Sequence, residues 1–202
     1  GHLVARRANY KKDNLEAPEI IYNPDLKEYY LFVSYDPLMT TCNVRVGRSD
    51  KAEGPFIDYF GKELKDTTNN FPILTAPYRF KNHPGWAGTA HCAVFTSDDG
   101  QYFMAHQGRL SPQNQMMDLH VRQVFFTKDG WPVVSPERYA GSNPREFSAA
   151  DLVGEWEIIR VQEPLYERQL EAGQILWGEG ELQDEEWNMS HSLYLEKDGK
   201  LG

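Results

Sequence analysis

An all-β fold built from tandem four-stranded units is predicted by three observations. The first is a strand pattern that occurs twice. One copy comprises Ile20 to Tyr22, the turn Asn23-Pro24-Asp25, Tyr29 to Tyr35, Asn43 to Ser49 and Gly54 to Asp58. The other comprises Ala93-Val94-Phe95, the turn Ser97-Asp98-Asp99-Gly100, Tyr102 to His106, Leu119 to Thr127 and Gly130 to Val134. The second observation is composition: 11 Tyr, 10 Phe and 5 Trp with 12 Pro and 16 Gly suit many short strands joined by tight turns, and little helix. The third is spacing. Tyr30 matches Tyr102 at an offset of 72 and Ser49 matches Thr127 at 78, so the added length falls in the loop between strands two and three.

A tandem unit of roughly 40 to 50 residues with four strands is the signature of a propeller blade, which buries its apolar face only against neighbouring blades. Two blades do not close a ring, so the chain reads as part of a larger propeller with the missing blades upstream. Within the first copy, Ile20-Ile21-Tyr22 and the aromatic run Tyr29 to Tyr35 supply the β-branched and aromatic side chains that a pleated surface favours. Asn23-Pro24-Asp25 turns the chain between them. Val44 and Val46 mark the third strand, and Gly54-Pro55-Phe56-Ile57-Asp58 is expected as the fourth. The second copy follows the same order and ends near Val133 to Gly141.

A turn-rich connection, Ser142-Asn143-Pro144-Arg145-Glu146, places a boundary near residue 145. Residues 1–145 are then the later propeller blades, and residues 146–202 the start of a small β-domain. Gly154 to Ile159 and Ser192 to Glu196 read as its strands, and Glu163 to Glu171 as a short helix or loop with a solvated charged face. Asp198-Gly199 signals a hairpin turn. A return strand needs about five or six residues, and the chain stops three residues after Gly199, so both ends read as severed.

With 40% hydrophobic residues the chain has ample material for a core. The net charge of −9 is uneven: residues 151–187 hold eleven acids and two Arg, whereas residues 1–150 hold 17 acids and 17 bases. Neither part offers the basic surface that displaces counterions from phosphates, which excludes nucleic-acid binding. No stretch approaches the roughly 20 apolar residues of a membrane span. Cys42 and Cys92 lack metal or redox spacing and read as one disulfide or two free thiols. There is no GxSxG, P-loop or GxGxxG motif.

Glu16, between Leu15 and Ala17-Pro18, is a carboxylate at the start of a buried strand. Partial desolvation there favours the neutral form and suits it to donate a proton; the alternative is an edge carboxylate held by a neighbouring cation. Glu19 competes for the role. Three positions along an extended strand place the two on opposite faces, so one of them at most faces a central cavity, and Pro18 holds Ala17 extended. His91 occupies the matching strand start of the second copy, where it is either a metal-facing ligand or a satisfied core imidazole. Arg45, Arg122, His106 and His120 lie within strands and need partners if buried; His106 or Arg122 could instead bind a sugar. Tyr35, Trp86 and Trp131 are candidates for stacking on sugar rings or for packing between blades.

Taken together, Asn14 to Tyr22, Tyr30 to Tyr35, Asn43 to Ser49, Gly88 to Phe95 and Leu119 to Arg122 through Pro136 to Tyr139 resemble the later blades of a glycoside hydrolase family 43 arabinanase. The match spans roughly residues 14 to 141, and the remainder resembles the start of the β-domain appended to larger bacterial members. The resemblance implies a five-bladed propeller that cleaves α-1,5-linked arabinan with inversion. It places the general acid, the Glu of an E-A-P motif, at Glu16. It places at His91 an axial His that ligates a calcium ion otherwise surrounded largely by water, although Cys92-Ala93 replaces the commoner Asn-Ser. Tyr35, Trp86, His106 and Arg122 stand as candidate substrate contacts. The general base and an Asp that tunes the acid would come from an N-terminal propeller portion, as a companion chain or a missing segment; Asp36, Asp98 and Asp118 sit in turn-like contexts and are not assigned these roles. The resemblance also implies a bacterial enzyme in an extracellular or periplasmic setting. Rival readings are a xylan- or arabinoxylan-directed hydrolase of the same family, and a non-catalytic carbohydrate-binding propeller.

Overall fold

The computed structural model describes residues 1–7, 15–66, 70–112, 115–141, 146–162, 182, 184–197 and 199. The first blade is a four-stranded antiparallel sheet of β1 (Leu15–Asn23), β2 (Glu28–Tyr35), β3 (Asn43–Ser49) and β4 (Ile73–Thr75), neighbours in that order. The β1–β2 turn closes because Asn23 Oδ1 accepts the amides of Asp25 and Leu26, at 3.0 and 3.2 Å. This side-chain mimicry of a backbone turn is why Asn recurs at such corners. The fourth strand is not the predicted Gly54 to Asp58 segment. Ile57 makes only isolated bridges to Arg48 and Glu63, and Ile73–Thr75 takes the edge of β3 instead. The cause is Asp58: its Oδ1 captures the amides of Phe60 and Lys62, both at 2.9 Å, and turns the chain away before a strand is established.

β5 (Tyr78–Arg79) and β6 (Trp86–Ala87) lead to the second blade, formed by β7 (Ala93–Thr96), β8 (Tyr102–Leu110), β9 (Asp118–Phe126) and β10 (Pro132–Val134). β8 outruns its predicted end at His106. Its first half pairs with β7, while Arg109 and Leu110 pair with β6.

Strand alternation sends Tyr30, Phe32, Val44 and Val46 of the first blade against Val94, Met104 and Val124 of the second, with Cys42, Ala90 and Cys92 between them. Each such side chain contributes roughly 1.5–3 kcal/mol on burial, so this inter-blade cluster joins the two sheets. The opposite face of the first blade, with Leu31, Val33 and Tyr35, is closed by Phe56, Leu64 and the N-terminal Val4 and Ala5. Among the described residues the outer face of the second blade has no such cover: Phe95, Leu119, Phe125 and Val133 are exposed. Both cysteines are buried free thiols.

Beyond the second blade, a 3₁₀ turn (Ala149–Leu152) is capped by Asp151, whose Oδ2 accepts from the Ser148 amide at 2.8 Å. β11 (Gly154–Ile159) and β12 (Asn188–Leu195) then pair antiparallel, as the predicted strands of the appended unit. β12 runs parallel to β5, so the appended strands extend the second sheet. The joint is reinforced by Trp187, which packs on Ala87 and lies beneath the Arg79 guanidinium at 4.4 Å. Residues 142–145, where the boundary was expected, together with the Glu163 to Glu171 segment and Asp198, lie outside the described residues.

The contrast between the two faces of the second blade is measurable. Met104 is fully buried and Leu119 is 74% exposed. Met104→Ala should cost about 2–5 kcal/mol in urea unfolding of the chain, whereas Leu119→Ala should stay within about 0.5 kcal/mol.

Candidate active site

The strand that carries Glu16 is irregular where it matters. Glu16 pairs with Ser34 and Glu19 with Phe32, so three steps on β1 oppose two on β2. The extra residue is accommodated by a bulge in which Ala17 adopts φ 49°. Two expectations are corrected by this geometry. Ala17 is not extended, and Glu16 and Glu19 share a face, because Ser34 and Phe32 share one and cross-strand partners point the same way. A left-handed alanine costs on the order of 1–3 kcal/mol and persists only where surrounding structure holds it. Here it turns both carboxylates toward the second blade.

Opposite them is His91, at φ 55° immediately before β7. Its Nδ1 lies 3.2 Å from Glu16 Oε1, an ion-pair distance when the imidazole is protonated. Among the described residues that oxygen takes no hydrogen bond, and it is itself shielded from solvent. The rest of both side chains is open, at 58% exposure for His91 and 40% for Glu16.

The segment that delivers His91 is held on the first blade. Gly88 N–H donates to Thr40 O at 2.7 Å, His91 N–H donates to Ser34 Oγ at 2.8 Å, and Thr75 Oγ1 donates to Thr89 O. Gly88 has to be glycine: at φ 57° an added Cβ would lie 2.5 Å from the Leu38 carbonyl oxygen.

An open depression of about 620 Å³ is lined by Ala17, Pro18, Glu19, His91, His106 and Asp118, among others. His106 therefore joins the same region as His91, with its ring buried. Its Nδ1 is 2.6 Å from Gln107 O, and burial pushes its pKa down to about 3. His120 stands behind it, 5.1 Å between ring centroids, and its pKa is lowered to about 4 by burial and then by Arg122. Arg122 is committed to the interior, where its Nη atoms donate to Pro136 O at 2.6 Å and Tyr78 Oη at 2.8 Å. Trp86 is buried, with the His120 ring edge-on at 4.4 Å and Arg138 over its ring at 5.1 Å. Tyr35 lies on the far face of the first blade, between Arg7 and Arg45. Trp131 sits beneath Arg48 at 4.6 Å.

Of the candidates, His91 and His106 line the depression together with Glu19, and Glu16 adjoins it through its contact with His91. Tyr35, Trp86 and Arg122 are held in packing. Asp36 is paired with Arg7 at 2.9 Å and accepts a hydrogen bond from Asn43 Nδ2 at 2.7 Å, which suits a buried structural carboxylate. Sequence reasoning missed Ser34, Gly88 and Arg109. Ser34 and Gly88 lay inside segments that were singled out for other residues, and Arg109 fell beyond the expected end of its strand.

Among the described residues no group of three or more His, Cys, Asp or Glu could hold a metal ion. What His91 offers an ion is a single imidazole nitrogen, the one not turned toward Glu16.

No protein-family model matches the chain. The chain is 30% identical over 166 residues to extracellular endo-α-(1→5)-L-arabinanase 2 of Bacillus subtilis strain 168, covering 72% of this chain and 35% of the relative. The solved structure of endo-1,5-α-L-arabinanase from Thermotoga petrophila RKU-1 superposes with a TM-score of 0.77 at 25% identity, over 94% of this chain and 41% of that one. A family 43 glycoside hydrolase from Bacillus licheniformis shares the fold, with a TM-score of 0.76 at 24% identity over 93% and 42% of the two chains. The chain therefore spans about a third of the length of the curated relatives it matches.

The buried histidines make stability depend on pH. His106 binds its proton more weakly folded, at about 3, than unfolded, at about 6.5. Its contribution is complete above about pH 6.5 and is lost as pH falls toward 3, because the unfolded chain takes the proton first. His106→Gln should flatten the decline in unfolding free energy between about pH 6.5 and 4 by an amount on the order of a few kcal/mol, measured by urea titration at stepped pH. An unchanged slope would mean that this ring is hydrated in the folded state.

Proposed function

We propose that this chain, a relative of the glycoside hydrolase family 43 arabinanases, forms the acid-bearing part of an arabinan-cleaving glycosidase. The observation that carries the reading is the bulged start of β1, which sets the Glu16 carboxylate 3.2 Å from His91, a residue that lines the open depression. In this role Glu16 donates a proton to the departing glycosidic oxygen of an α-1,5-linked arabinofuranosyl unit. The reaction proceeds with inversion, and a second carboxylate about 6.5–9.5 Å away activates water on the opposite face of the sugar. That base, the acid-tuning Asp and the remaining blades belong to the N-terminal portion of the propeller, supplied upstream or by a companion chain. The unpartnered outer face of the second blade is suited to receive it.

A calcium ion, if bound, would be held by His91 with water around it. It would supply a fixed positive charge on the propeller axis, while His91 itself sets the floor of the depression and faces the acid. Activity outside the cytoplasm is proposed on the same kinship, since the matched relatives are named as extracellular.

Two measurements test this. In the complete propeller, Glu16→Gln should lower kcat on linear arabinan by about 10²–10⁴-fold, and full activity in that variant would remove Glu16 from the role. Calcium should raise the melting midpoint and a chelator should lower it, with no response in His91→Ala. A His91→Ala protein that still responds binds its ion elsewhere.

A further inference from the structure

Arg109 is 2% exposed, near the end of β8. Its backbone pairs with Ala87, directly before the Gly88 to His91 segment. Its side chain crosses to the other blade, where Nη1 donates to Leu38 O at 3.3 Å in the loop after β2. A Cβ placed on Gly88 would lie 3.1 Å from the same nitrogen. The guanidinium thus fills the corner where the first blade's loop meets the segment presenting His91. Burial lowers the pKa of Arg109, while the Glu16 carboxylate acts to raise it, so that carboxylate lies within the field of this cation. An Arg stays charged in such a setting, and its planar fork resists replacement by the flexible stem of Lys.

We propose that Arg109 is a positioning residue for Glu16. By spacing the loop after β2 from the Gly88 to His91 segment, it fixes the acid relative to His91 and to the glycosidic oxygen it protonates. This rests on Glu16 being the general acid. Arg109 touches neither substrate nor Glu16 directly. It acts through the Leu38 carbonyl and the Gly88 backbone, the two surfaces that set the inter-blade distance at the site.

The test compares Arg109→Met and Arg109→Lys in the complete propeller on two substrates. One is linear arabinan, and the other is an arabino-oligosaccharide carrying a dinitrophenyl leaving group, which departs without a proton. A misplaced acid should lower kcat on arabinan by about 10–100-fold with KM nearly unchanged, and leave the activated substrate within about threefold of the unsubstituted enzyme. Added guanidinium ion should restore part of the Arg109→Met loss, and Arg109→Lys should be intermediate. Equal losses on both substrates, a defect confined to KM, or no loss at all would overturn the proposal. If Arg109→Met does not fold, the same substrate comparison on Arg109→Lys decides. Glu16→Ala is measured alongside: a loss on arabinan alone upholds the acid, whereas equal loss on both substrates defeats the acid assignment independently of Arg109.

Discussion

The site depends on one short inter-blade clamp. Residues 88 to 91 belong by sequence to the second blade, yet their backbone and carbonyl groups are tied to Thr40, Ser34 and Thr75 of the first. Hydrophobic contact between blades sets only how close two sheets come, because burial is not directional. Hydrogen bonds add register, and each of these spans the same seam at the end where Glu16 meets His91. If the clamp slid by one residue, His91 would exchange places with Cys92 or Ala90. The 3.2 Å approach between carboxyl and imidazole would then be lost, and the imidazole would take a place in the apolar core that Ala90 or Cys92 now fills.

Much of the fold was legible because blade strands obey simple period-two chemistry. Tyr29 to Tyr35 is a strand in the structure as its composition demands, and the recurrence at Tyr102 identified the second sheet. Failures occurred where one side chain overrode the periodic pattern. Ile57 has the neighbours of a strand residue, but the next carboxylate, Asp58, draws the amides that a strand would have needed. The position of Glu16 was legible as an acid in an apolar setting, but its face was not. Counting three positions from Glu16 to Glu19 assumes an unbroken pleat, and nothing in Glu-Ala-Pro-Glu announces that alanine takes up the bulge.

The same limit explains the candidate sugar contacts. Tyr35, Trp86 and Arg122 have side chains that suit carbohydrate, and the structure uses each of them inside the protein. Tyr35 lies between two guanidinium groups, Trp86 against His120, and Arg122 against two backbone carbonyls and a tyrosine. Aromatic and arginine side chains bury large areas and still satisfy polar groups, which makes them equally good as core and as ligand contacts. Residue type therefore identifies a small set, and only the strand register separates its members.

Buried cations are concentrated at the rims of these sheets: Arg7 and Arg45 around Asp36, Arg122 beneath the second blade, and Arg109 at the seam. A buried ion pair is a poor source of net stability, since desolvating both partners offsets much of their attraction, but breaking it is costly because one charge is left alone. Such groups penalise misplacement more than they reward folding. A propeller site needs that property. Glu16 sits on one blade and His91 on the next, so their geometry is a relation between sheets, and small rotations of one sheet against the other would dissolve it. Arg109, like Arg48 with its bond to Asp129 O, has a backbone carbonyl of the opposite blade as its partner. Its charge is held in place by the inter-blade distance itself, and a change in that distance is opposed by a buried guanidinium losing its acceptor.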